Sequence, residues 1–86
     1  MGRYYFHLHE CGTILPDFEG SDLPDLQSAI VRAIRDARSV ICAEAREGQI
    51  CLSCHIEIED ADTGERTIVP FSDAVKVSTG KVVLGG

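Results

Sequence analysis

No apolar run in this 86-residue chain approaches the ~20 residues that a membrane-spanning helix needs, so no membrane partner is expected. The opening Met1-Gly2-Arg3-Tyr4-Tyr5-Phe6 lacks the apolar h-region of a secretory signal, and Phe6 stands where the myristoylation pattern wants Ser or Thr. The expected address is therefore cytoplasmic. Missing as well are the G-x-S-x-G elbow, the P-loop and the dinucleotide fingerprint, and no enzyme is expected. Bases are outnumbered: 8 Lys and Arg face 14 Asp and Glu, for a net charge of −6. Such a surface repels polyanions, so nucleic acid is not an expected partner.

What is present reads as one globular domain, with 44% hydrophobic and 26% charged residues. Folding a chain this short removes roughly 60–65% of its extended surface, which leaves a small core that pairing with another chain would enlarge. The charge is unevenly spread. Arg32, Arg35, Arg38 and Arg46 are balanced by Asp25, Asp36, Glu44 and Glu47 within the central segment, so the remainder carries the whole negative charge.

Tyr4 to His9 alternates as a strand, with Tyr4, Phe6 and Leu8 on one face and Tyr5, His7 and His9 on the other. Gly12 marks a turn, Thr13-Ile14-Leu15 returns as a short strand, and Pro16 to Gly20 is a turn-rich connection. A helix is predicted over Leu23 to Glu47, with Asp22 as N-cap, Pro24 in the first turn and Gly48 as the stop. Leu26, Ile30, Ala33, Ile34, Ala37 and Ile41 form its apolar stripe. Cys54 to Glu59 alternates again, Thr63-Gly64 is a hairpin turn, and Arg66 to Pro70 is the return strand. Phe71 to Val75 reads as a single helical turn. The predicted fold is α+β, in the order β-β-α-β-β: a small antiparallel sheet with one amphipathic helix packed across one face. Residues 1–77 form the domain and 78–86 a tail, read as a frayed end or an added edge strand. The predicted core is Phe6, Leu8, Ile30, Ile34, Ala37, Ile41, Ile56 and Ile58.

Arg3-Tyr4-Tyr5-Phe6-His7-Leu8, Pro16-Asp17 with Glu19-Gly20, Leu23-Pro24-Asp25-Leu26 and Val69-Pro70-Phe71-Ser72-Asp73-Ala74 together resemble a family of short bacterial proteins known only as a domain of unknown function. The resemblance spans about Arg3 to Val75 and implies a small stand-alone domain with no assigned activity. The Cys51–Cys54 pair is not part of it, so chemistry resting on that pair is expected to be particular to this chain. A looser likeness, one of element order, is to the HicB-type antitoxins, which place a short hairpin before a helix.

Cys51-Leu52-Ser53-Cys54-His55 matches the haem c attachment pattern, in which two thiols bond the vinyl groups and the His ligates iron. A second axial Met is lacking, since the only Met is Met1, and Cys54 reads as a small buried hydrophobe at a strand mouth. A redox pair is disfavoured because the motif enters a strand, whereas thioredoxin-type pairs start a helix. Asp60-Ala61-Asp62-Thr63-Gly64-Glu65 begins like an EF-hand loop but puts Gly64 at the fifth ligand position. Asp17, Glu19, Asp22 and Asp25 read as caps and solvated turn residues.

Two functional classes stay open. Alternation puts His7, His9 and His55 on one sheet face with Glu57 beside them, a credible zinc set, although the preferred account of these residues is an exposed polar face without metal. No cofactor is assigned. The preferred reading is a non-catalytic protein-interaction or regulatory module, contacting another protein chain or a second copy of itself. Its predicted contact surface is the helix's outer face: Val31, Arg32, Arg35, Arg38 and Cys42, where apolar residues out of phase with the core stripe lie among arginines.

Overall fold

Alternation in the first segment makes β1 (Gly2–Glu10), the longest strand of the computed structural model, which describes residues 2–78. The turn at Cys11-Gly12, with Gly12 at φ +73°, returns the chain as β2 (Thr13–Leu15), paired so that Leu8 faces Leu15 and His9 faces Ile14. A further strand, β3 (Ser21–Leu23), pairs with Gly2–Tyr4 at the other end of the same edge.

Between β2 and β3 the edge of β1 has no ladder partner, and the Asp17 carboxylate takes that place. Its Oδ2 accepts from the Phe6 N–H at 3.1 Å, and its Oδ1 accepts from the N–H groups of Glu19 and Gly20, each at 3.1 Å. Burial pushes the Asp17 carboxyl up, but the N–H groups of Gly20, Phe6 and Glu19 outweigh it and hold the group below the usual carboxylate range. Gly20 is required here for two reasons. Its φ is +72°, and a Cβ would stand 2.9 Å from the Tyr5 ring and 3.0 Å from the Tyr4 carbonyl oxygen.

Helix α1 (Leu26–Arg46) starts three residues later than predicted. Asp22 is drawn into β3, where it pairs with Arg3 at 3.1 Å, and Asp25 becomes the N-cap, accepting from Ser28 N–H at 2.8 Å. The far end closes as a Schellman motif: Gly48 at φ +83° donates to the Ala45 carbonyl and Gln49 to that of Glu44, each bond about 3 Å long.

The chain then enters β4 (His55–Asp60), turns at Gly64 and returns as β5 (Arg66–Pro70), ending in the single turn α2 (Phe71–Ala74). Among the described residues the sheet order is β2-β1-β4-β5, antiparallel throughout, with β3 beside β1. The fold is thus the α+β arrangement expected, a small antiparallel sheet with α1 across one face, enlarged by β3. The tail reading lies outside the described residues beyond Ser78.

The helix face differs from prediction. Ala29, Ala33, Ala37 and Ile41, four residues apart, form the fully covered row, while Ile30 and Ile34 pack half-buried at its flank and Leu26 is exposed. Small side chains let the helix backbone approach the sheet, and the isoleucines then fill the margin. Opposite this row lie Tyr4, Cys54, Ile56, Ile58, Val69, Phe71 and Ala74, with Phe6 and Leu8 partly covered. Phe71 and Ile58 are the large side chains wholly removed from solvent.

Candidate functional site

Pairing of β1 with β4 puts His9 opposite His55, and so carries the turn after β1 beside the loop before β4. Three thiols meet there. Cys11 Sγ lies 2.7 Å from Cys51 Sγ, which lies 3.1 Å from Cys54 Sγ, and all three are within 4.8 Å of one another. Ser53 Oγ is 3.1 Å from Cys51 Sγ and 3.9 Å from Cys11 Sγ. Hydrogen bonds from Cys11, Ser53 and Cys54 lower the Cys51 thiol to about 7. Burial, followed by its bond to Cys51, pushes Cys54 up to about 12. Exposed Cys11 and buried Cys54 thus flank the half-covered Cys51, the thiol of the three most readily deprotonated. Cys42 is exposed on α1 and stands apart from them.

The outer sheet face carries His7, His9, His55 and Glu57, as the alternation predicted. His7 is committed on both sides. The Asp17 N–H donates to Nδ1 at 3.0 Å, which leaves the proton on Nε2, and Nε2 donates to Glu59 Oε1 at 2.9 Å. Arg66 reaches Glu57 at 2.8 Å and Glu59 at 3.8 Å. The His9 and His55 rings stack with centroids 4.4 Å apart, and His9 Nε2, 3.4 Å from Glu57, makes no hydrogen bond. Among the described residues the thiols are the ligand groups that converge; the histidines are spread along β1 and β4 in cross-strand contacts.

On the helix, Val31, Arg35 and Cys42 are exposed. Two of the arginines are engaged within the molecule. Arg32 lies 5.4 Å from the Phe6 ring centroid and donates to Ser21 Oγ at 3.1 Å. Arg38 donates through Nε to the Ala74 carbonyl at 2.7 Å, holding α2 against α1. At the opposite edge of the sheet, Ile14, Leu15 and Phe18 are all exposed.

A family model for a domain of unknown function, DUF6894, matches residues 3–72. The chain belongs to the DUF6894 family. The match takes in all five strands and α1, and it covers Cys11, Asp17, Phe18, Cys51 and Cys54. Comparison with curated proteins and with solved structures finds no match. Among the described residues no helix is long and apolar enough to cross a membrane.

Sequence reasoning missed Cys11, Asp17 and Phe18. Cys11 is forty positions from Cys51, and only the β1–β4 register joins them. Asp17 looked like any turn carboxylate. The signal for Phe18 was present: an aromatic residue in the middle of a turn-rich connection has no strand or helix face to fill.

Proposed function

We propose that this DUF6894 domain is a non-catalytic protein-interaction module whose contact surface is the free β2 edge, and that its partner there is a second copy of the chain. The observation that carries this reading is Phe18, 85% exposed, beside Ile14 at 59% and Leu15 at 51%. On the β2 edge, which among the described residues pairs with β1 alone, Leu15 projects on the helix side and Ile14 on the histidine side, and Phe18 is exposed in the connection that follows. Apolar side chains on both sides of an open strand edge are ones that water disfavours. The thin core adds to the argument, because an alanine row leaves few large side chains buried in the monomer and association enlarges the buried area. A second copy brings the same uncharged Thr13-Ile14-Leu15 strip, which an antiparallel, two-fold contact can pair with itself. The layout likeness to HicB-type antitoxins lends a regulatory binding role as analogy only. The cytoplasm remains the address this reading assumes.

The helix surface predicted from sequence, Val31, Arg32, Arg35, Arg38 and Cys42, is the competing one, with Arg32 and Arg38 also bonded within the fold. Light scattering coupled to size exclusion, over a concentration series, separates the two. Phe18→Asp with Leu15→Asp is expected to weaken association by roughly 100-fold or more, because each buried Phe or Leu contributes about 1.5–3 kcal/mol and both copies lose it. Val31→Asp with Arg35→Glu is expected to leave association unchanged. The reverse pattern moves the contact to the helix, and a monomer at every concentration overturns self-association.

A further inference from the structure

The thiol cluster at the end of the sheet adjoins that contact surface, since Cys11 and Ile14 line one cleft, and its chemistry is of another kind. We infer that Cys11, Cys51 and Cys54 form a zinc site, with three thiolate ligands and a fourth position open to solvent.

Three soft donors arrive from two separate segments, the β1–β2 turn and the loop between α1 and β4, and their sulfurs lie within 4.8 Å of one another. Thiolate sets of this kind select zinc and other thiophilic ions over the hard cations that carboxylates hold. The burial gradient fits a half-shell. Cys54 anchors it in the core beneath the sheet end, Cys51 is partly covered, and Cys11 closes it from the solvent side. Cys11 also lines a cleft with His9, Gly12, Ile14, Ser53 and His55, which brings solvent within reach of an open fourth position.

A filled site sets its own spacing. Zn–S bonds of about 2.3 Å at tetrahedral angles place sulfurs about 3.8 Å apart. The separations of 2.7 Å from Cys11 to Cys51 and 3.1 Å from Cys51 to Cys54 must therefore widen by about 1 Å, which takes rotation of both Cys11 and Cys51, the two thiols that are not buried. Cys11 is exposed, so its side chain has room to turn. Ser53 Oγ, beside both Cys51 and Cys11, supplies an outer hydroxyl donor to the thiolates. Binding expels the protons still held by the three thiols as the three S–Zn bonds form, leaving a complex of net charge −1.

The ion would serve the fold as a staple. The described loop from Gln49 to Cys54 has no helix or strand of its own and precedes β4 directly. Linking Cys11 to Cys51 across forty positions ties the β1–β2 hairpin to that loop.

The test uses reduced, untagged full chain with zinc chloride, and cobalt chloride as the spectroscopic probe. Native mass spectrometry is expected to show one zinc per chain. Cobalt is expected to give thiolate charge-transfer absorption in the near ultraviolet and tetrahedral ligand-field bands in the visible. Cys11→Ser removes an exposed ligand without opening the core, and its fold is checked by circular dichroism. It is expected to weaken zinc binding by roughly 100-fold or more, because even outer-shell partners cost 10–100-fold. Cys42→Ser is expected to change nothing. The inference is overturned if the reduced chain takes up no stoichiometric zinc, if Cys11→Ser binds as the parent does, or if the cysteines isolate as a disulfide that binds no metal once reduced.

Discussion

Replacing Asp17 by Ala tests how the broken edge of β1 is held. The carboxylate accepts from three backbone N–H groups, of which the Phe6 N–H is partly buried between the β2 and β3 pairings. The Glu19 N–H is exposed and regains water in the variant, so its loss costs little. The Phe6 N–H has no other partner on that edge. Leaving a buried donor unmade costs about 1–3 kcal/mol, and a charged acceptor lies toward the upper part of that range. Asp17→Ala is therefore expected to lose about 2 kcal/mol, a fall in Tm of roughly 10 °C for a domain of this size. The pH dependence gives a second handle. The folded carboxyl sits below its ordinary value, so its contribution is fully present above about pH 4 and is lost as pH falls through the folded value. Urea unfolding followed by circular dichroism at pH 7 and at successively lower pH should show a wide gap between parent and variant that narrows in acid. A loss under about 0.5 kcal/mol, or a gap that keeps its size in acid, would refute the keystone role given to Asp17.

Other outcomes follow from the same packing. Phe71→Ala should cost about 3–5 kcal/mol in urea unfolding, since that ring is wholly covered, whereas Ile34→Ala at the helix margin should cost less than about 2 kcal/mol. Gly20→Ala should destabilise more than Gly12→Ala, because both have positive φ, costing about 1–3 kcal/mol, but only Gly20 also meets the Tyr5 ring and the Tyr4 carbonyl; equal losses would show that the close approach is absent. Arg38→Ala should cost about 1 kcal/mol and raise proteolysis or amide exchange around Phe71–Ala74, because the Ala74 carbonyl loses its donor.

Much of the fold is legible in the residue pattern because two strands alternate cleanly and both ends of the helix carry capping residues. Tyr4 to His9 pairs edge to edge with His55 to Asp60, which is why the shared face of His7, His9 and His55 could be read in advance. The helix phase was harder. Isoleucine outranks alanine in hydrophobicity, yet close approach of the helix to the sheet selects the small side chain, and Ala29, Ala33 and Ala37 take the centre. β3 was hidden because three residues offer no period, and Asp22 and Asp25 both qualify as caps until the Arg3 ion pair claims the first. The thiol cluster was out of reach for a different reason: its spacing is created by register, which no local pattern encodes.

Amide exchange read by mass spectrometry, on the parent chain at low and high concentration, tests the proposed contact surface directly because it locates what association covers. Protection that grows with concentration in the stretch from Thr13 to Gly20, with α1 unchanged, is the predicted result. Exchange there that is independent of concentration, or protection confined to the segment around Val31 and Arg35, would contradict it.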